Sequence, residues 1–288
     1  MTGNVFGVLF DGVAYGSLLF LISVGLSVTM GMMNFVNLAH GAFAMAGGYV
    51  CVRMLGAAGM SFLGTLPLVF LATAVAGIVL ERLLYRRLYK ASHLDQVLFS
   101  IGLVFMSVAA ATWLFGPTQQ PVALPEWLRG QVRLFGLELG AYRLFLIAVV
   151  ALVTAALVLL IERTRFGAKI RASVDNQTAA RGLGIDVDAV FSLTFALGSG
   201  LAGLGGALGI DMLGLDPGFP IKYLVYFLLV VTVGGAGSIK GPLLAALILG
   251  VFDVAVKYYV PQIGTFVIYS LMVVLLILFP FGLVRRKA

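Results

Sequence analysis

Three polar side chains interrupt the apolar opening of this chain. Asn34, Asn37 and His40 recur every third residue within Gly31-Met-Met-Asn-Phe-Val-Asn-Leu-Ala-His-Gly41, a spacing that puts them on one face of a helix. Polar groups at membrane depth face a cavity or one another, so such a face suits a route for a small solute. A plain helical hairpin turn is the simpler alternative. A second interruption, Gly234-Gly-Ala-Gly-Ser-Ile-Lys-Gly241, breaks a later apolar run. Broken segments in corresponding halves of a transporter point to its substrate path. Asn34, Asn37, His40, Gly41, Gly234, Gly235 and Gly237 are therefore the candidate path residues.

Catalysis finds less material. His40 and His93 are the only histidines and fall in different segments, so no His-x-x-x-His pair and no metal site is expected. Cys51 is the only cysteine, which leaves no intrachain disulfide and no thiolate cluster. No Gly-x-x-x-x-Gly-Lys-Ser/Thr occurs, and Gly235-Ala-Gly-Ser-Ile-Lys-Gly241 has the wrong spacing, so ATP binding through a P-loop is not expected on this chain. Nothing assembles a Ser/His/Asp group, and enzyme function is not expected. Asp11 and Asp253 lie inside apolar runs. Asp253 has Lys257 four residues on, an ion-pair spacing. Asp11 has no local partner and is expected to face a vestibule.

These residues must be positioned by membrane helices. Of 288 residues, 61% are hydrophobic and 11% charged, against about 25% charged in a soluble domain. Long uninterrupted apolar runs favour helices over a β-barrel. Such runs cover 5–30, 38–57, 61–80, 97–115, 143–162, 189–212, 221–236, 242–260 and 264–283. The expected fold is an all-α polytopic membrane protein with about eight or nine transmembrane helices, forming one permease-like domain over 1–288. No segment outside the membrane exceeds about 30 residues, too few for an independent core. No basic residue precedes Arg53, and the first apolar run is too long for a cleaved signal peptide. The span 189–212 holds Gly198, Gly200, Gly203, Gly205, Gly206 and Gly209. Small residues let helices approach closely, and a helix that slides or hinges is compatible with that.

The net charge of +7 does not point to nucleic acid, because the basic residues lie between apolar runs, where they orient the chain. Arg82, Arg86, Arg87, Lys90, Arg163, Arg165, Lys169, Arg171, Arg181, Lys240, Arg285, Arg286 and Lys287 fall on one side; Arg53, Arg129, Arg133, Arg143, Lys222 and Lys257 fall on the other. The richer side is read as cytoplasmic, with the C-terminus inside and the N-terminus outside.

On the cytoplasmic side, residues 163–188 form the most polar run. A helix is expected over 168–181, where alanines favour it and no proline interrupts. Gly182 and Gly184 stop it, and Asp186 caps the next helix, with Asp188 in its first turn. This hook has the shape of a lever, or it is an ordinary loop with some helix in it. The longest outer loop, 116–142, starts extended through Pro117, Pro121 and Pro125. A short hairpin is expected around Phe135-Gly136. It serves either as a docking surface for an external partner or as a cap over the helices.

Asn34-Phe-Val-Asn-Leu-Ala-His-Gly41, Arg171-Ala-Ser-Val-Asp-Asn-Gln-Thr-Ala-Ala-Arg-Gly-Leu-Gly-Ile-Asp186 and Gly234-Gly-Ala-Gly-Ser-Ile-Lys-Gly-Pro242 occur in this order. Together they resemble the LivH-type permease subunit of branched-chain amino-acid ABC importers, over nearly the whole chain. The resemblance implies a bacterial cytoplasmic (inner) membrane permease working beside a second, related permease. It also implies two ATP-binding subunits, which use the ATP while this chain carries no cofactor, and an external substrate-binding protein. Membrane lipid is the remaining partner, and nucleic acid is not one. The hook then corresponds to the family's coupling helix, with Arg171, Asp175, Asn176, Ala179, Ala180, Arg181, Gly182 and Gly184 as the ATPase-coupling residues. The family also handles other amino acids, amides and urea. The alternative is an ion-coupled secondary transporter or channel acting without ATPase partners, which requires coupling carboxylates in the core.

Overall fold

Lipid offers no partner for a backbone N–H or C=O, so apolar runs of this length become helices that satisfy themselves. The computed structural model describes residues 2–33, 35, 37–56, 58–89, 91–122, 124–134, 137–279 and 282–283. In chain order the helices are α1 (Thr2–Met33), α2 (His40–Gly56), α3 (Phe62–Leu83), α4 (His93–Phe115), α5 (Glu126–Arg129), α6 (Ala141–Arg163), α7 (Arg165–Asp175), α8 (Gln177–Gly182), α9 (Val187–Leu213), α10 (Phe219–Gly234), α11 (Lys240–Tyr259) and α12 (Gly264–Leu278). Each expected span has a helical counterpart. By length and apolarity, α1, α3, α4, α6, α9 and α11 are able to cross a membrane; α10 and α12 are shorter apolar helices.

Helix α9 is the axis of the bundle, surrounded by α1, α2 and α3. Its glycines explain how. A Cβ on Gly206 would lie 1.8 Å from the Ala44 carbonyl oxygen, one on Gly203 2.3 Å from Thr73 Oγ1, and one on Gly205 2.6 Å from Ile22 Cγ1. From the other side, Gly25 of α1 and Gly47 of α2 press on the backbone of Gly198 and Gly203. No side chain fits between these backbones, and close packing is the role of the small-residue run. Helices α1 and α11 cross in the same way, at Gly16 and Gly250. By contrast α4 stands at the periphery, with Met106 68% and Trp113 84% exposed.

The two ends of the bundle are chemically distinct. At one end lie the connection between α1 and α2, a 3-10 turn over Tyr85–Leu88, the hook and the 235–239 connection, tied by Tyr85 to Asn37 and by Arg86 to Asp188. At the opposite end lie the α2–α3 and α9–α10 turns and the loop before α6. There the Gln120 N–H donates to the Leu215 carbonyl at 2.8 Å. Strands β1 (Gln131–Leu134) and β2 (Leu137–Gly140) pair antiparallel, forming the expected hairpin, with Arg133 opposite Glu138. The expected turn residues Phe135 and Gly136 lie outside the described residues. Asp11 departs from expectation. It does not face a vestibule alone but pairs with Arg143 of α6, a partner too distant in sequence to be anticipated.

Candidate functional site

The hook is built from two helices rather than one. The expected helix over 168–181 starts earlier, at Arg165, and breaks at Asn176. Asparagine side chains compete with helical backbone and favour caps. Asn176 takes extended angles, and its Oδ1 accepts the Ala179 N–H at 2.9 Å, which starts α8. Helix α8 closes with the Ile185 N–H on the Ala180 carbonyl, the Gly184 N–H on the Arg181 carbonyl, and Gly184 at φ +78°. This is a Schellman cap, whose left-handed position suits glycine. Gly184 is thus the stop, while Gly182 is the last helical residue and takes no left-handed angle. Asp186 caps α9 by accepting the Ala189 N–H at 3.0 Å, as the sequence suggests.

Not every coupling candidate faces outward. Ala180 is 2% exposed and packs inside the hook. Arg171 donates to the Ile161 carbonyl at the end of α6, closing the α6–α7 corner over Gly167, whose missing Cβ would lie 1.9 Å from the same oxygen. Arg171 is nevertheless exposed, and so are Asp175, Asn176, Ala179, Arg181, Gly182 and Gly184. The sequence reading missed Leu183, 82% exposed at the apex of the hook; a leucine beside two glycines gave no periodic signal.

From the hook a polar linkage runs inward. Arg181 and Arg86 both reach Asp188 in the first turn of α9, the former at 2.8 Å. Exposed ion pairs contribute about 0–1 kcal/mol each, so they fix relative positions more than they stabilise. Beside Arg86, Tyr85 is fully buried, edge-on to Phe35 and Phe99 and tilted against Phe195. Its hydroxyl donates to Asn37 Oδ1 at 3.0 Å. One turn on, Tyr89 donates to Glu81 at 2.6 Å, and Ser192 of α9 donates to the other carboxylate oxygen. Glu81 is 1% exposed, a buried carboxylate like Asp253 at 2%. Next to Arg82 at the end of its span, it reads in sequence as a loop residue. Asp253 accepts from Lys257 at 2.7 Å, as its spacing suggests.

The linkage ends at the first interruption. Residues 35 and 37–39 are not helical, so the helical face expected for Asn34, Asn37 and His40 does not form; Asn34 itself lies outside the described residues. The Asn37 carboxamide oxygen also accepts the Ala39 N–H at 3.1 Å, an Asx turn leading into α2. His40 Nε2 lies 2.9 Å from the Ile22 carbonyl of α1; a carbonyl only accepts, so Nε2 carries the proton. Both side chains are buried, at 1% and 2% exposed, and they pin the break from inside. Gly41 packs toward Pro220, and Gly234 against Pro242.

The second interruption meets the first. Gly235 and Gly237 adopt φ of +92° and +81°. The Gly237 N–H donates to the Ser27 carbonyl at 2.9 Å, and Ser27 Oγ donates to the Ser238 carbonyl at 3.0 Å. A Cβ on Gly31 would lie 1.9 Å from Gly237 Cα. Gly235 and Gly237 are half-buried, so among the described candidate path residues these two reach the molecular surface.

The family described as "Branched-chain amino acid transport system / permease component" matches residues 8–279. The chain is 27% identical to the high-affinity branched-chain amino acid transport system permease protein BraD of Pseudomonas aeruginosa, over 96% of this chain and 95% of that one. It is 28% identical to LivH of Escherichia coli K12, over 96% and 94%. It is 29% identical to a probable LivH of Methanocaldococcus jannaschii, over 96% and 91%. No solved structure matches it. With a match over nearly its full length and a bundle of apolar helices, the chain belongs to the family of multi-pass permease components of branched-chain amino acid transport systems.

Proposed function

We propose that this chain is the membrane permease subunit of an ATP-driven importer of amino acids, branched-chain ones first among them. It works beside a second, related permease in a bacterial cytoplasmic membrane. Two ATP-binding subunits sit below, one of them taking this hook in a groove, and an external binding protein delivers substrate near the 116–142 loop, where Arg129 offers positive charge beside Arg133 and its partner Glu138. The excess of lysine and arginine puts the hook inside and the N-terminus outside. The substrate route runs past the paired interruptions, with Gly235 and Gly237 at its wall and Asn37 and His40 holding its shape.

The observation that carries this reading is the linkage from hook to interruption. Helix α8 is held to α9 through Arg181 and Asp188, α9 to the Tyr85–Leu88 turn through Arg86, and that turn to the first interruption through Tyr85 and Asn37. A push on α8 therefore reaches the α1–α2 connection, beside the end of α1 that lies against the α10–α11 connection. Leu183 at the apex supplies an apolar contact for the ATP-binding partner.

Co-purification with the ATP-binding subunits and substrate-stimulated ATP hydrolysis test the reading. Leu183→Asp is expected to insert normally and lose both. Uptake by the purified chain alone, driven by an ion gradient without ATP, would establish the ion-coupled alternative instead.

A further inference from the structure

An apolar groove opens sideways between α2 and α4, with a cavity of about 450 Å³. Its walls include Ala42, Ala46 and Val50 of α2 and Ala110 and Leu114 of α4. It runs from Ala42 to Arg53, which at 1.5 Å per helical residue is roughly 16 Å. That is about the depth of one leaflet of a bilayer whose hydrocarbon core is about 30 Å thick. At the end remote from the hook the groove joins a second cavity of about 360 Å³, which shares Arg53, Leu114 and Phe115 and adds Gln120. Arg53 is exposed, its guanidinium 5.3 Å from the centre of the Phe115 ring.

We infer that this groove seats one phospholipid of the leaflet opposite the hook, its acyl chain between α2 and α4 and an anionic headgroup against Arg53. The long apolar half matches a hydrocarbon chain in polarity and depth. The polar half stands where a headgroup lies, and an arginine between membrane helices is a phosphate ligand in fork geometry. A small amino acid needs no apolar trench of this length. The seated lipid also supplies packing that α4 lacks within the chain, where most of its residues are exposed or half-buried.

The test is native mass spectrometry of the intact delipidated importer titrated with phosphatidylglycerol, with phosphatidylcholine as the neutral comparison. One phosphatidylglycerol per copy of the chain is expected to persist. Arg53→Gln should weaken its retention about tenfold, the loss of a charge-assisted contact, and bring it level with phosphatidylcholine. Arg53→Lys should restore part of the preference. Ala46→Phe, at an exposed position on the groove wall, should abolish retention of both lipids and remove the thermal stabilisation that phosphatidylglycerol gives. Unchanged retention in Arg53→Gln and Ala46→Phe would overturn the proposal. So would release of a second permease chain by Ala46→Phe, which would make the groove a protein seat, or displacement of the lipid by leucine, which would make it a substrate site.

Discussion

The two interruptions lie at the same end of the bundle and touch at Gly31 and Gly237, yet different chemistry holds each. The first is held by side chains: Asn37 to Tyr85 and Ala39, His40 to Ile22. The second is held by backbone: two glycines at positive φ, and the Gly237 N–H on the Ser27 carbonyl. A break pinned by buried polar side chains is sensitive to losing a partner, because the remaining group is stranded without water. A break made of glycine backbone is sensitive to gaining an atom, because backbone cannot move aside.

The largest effect is expected where the two meet. Gly31→Ala sets a Cβ against Gly237 backbone, and such overpacking costs about 3 kcal/mol. Thermal unfolding in detergent should show a strongly destabilised or unassembled protein, and wild-type stability would mean that the two breaks do not touch. Asn37→Ala comes next. It strands the Tyr85 hydroxyl, at about 1–3 kcal/mol, and transport should slow while the chain still inserts. Adding Tyr85→Phe should recover part of that loss, because the stranded group goes with it; full additivity would break the pairing.

Gly184→Val separates conformation from crowding. A Cβ at this position meets nothing within 4 Å, yet φ is +78°. The cost should be the left-handed penalty alone, about 1–2 kcal/mol, read as weakened ATPase stimulation with normal insertion. The smallest change is Ser27→Ala, which removes one hydrogen bond to the second break, at about 0.5–1.5 kcal/mol. A larger loss there than for Asn37→Ala would reverse the assignment of side-chain and backbone control.

Much of the scaffold is legible in sequence because lipid leaves the backbone few options: the spans, the Asp186 cap, the Gly184 stop and the hairpin all follow from local residues. What stays hidden depends on distant partners. Asn37 and His40 have helical spacing, but an asparagine that finds a tyrosine 48 residues away serves better as a cap than on a helix face. Asn176 splits the hook by a local route instead, its Oδ1 taking the Ala179 N–H three residues on. Because of that split, a proline at Ala179 is milder than one inside a single continuous helix over 168–181 would be. Ala179 sits in the first turn of α8 and gives its N–H to the cap, so the loss is about 1 kcal/mol rather than the roughly 3 kcal/mol of a helix interior. Ala172→Pro, inside α7, is the stronger test. Glu81 and Arg143 show the same limit from the other side, since each is defined by a residue that arrives much later or much earlier in the chain.

Helix α9 also sets a timetable for biogenesis. Its sockets on α1, α2 and α3 are complete at Leu83, whereas α9 begins at Val187. At about 5–20 residues per second, synthesis of the intervening stretch takes about 5 to 20 s. For that interval the glycine faces of the early helices stand open in the membrane. The insertion machinery or a chaperone must shield them until the central helix arrives, and a ribosome that stalls between residues 83 and 187 leaves an intermediate prone to capture by the wrong helix.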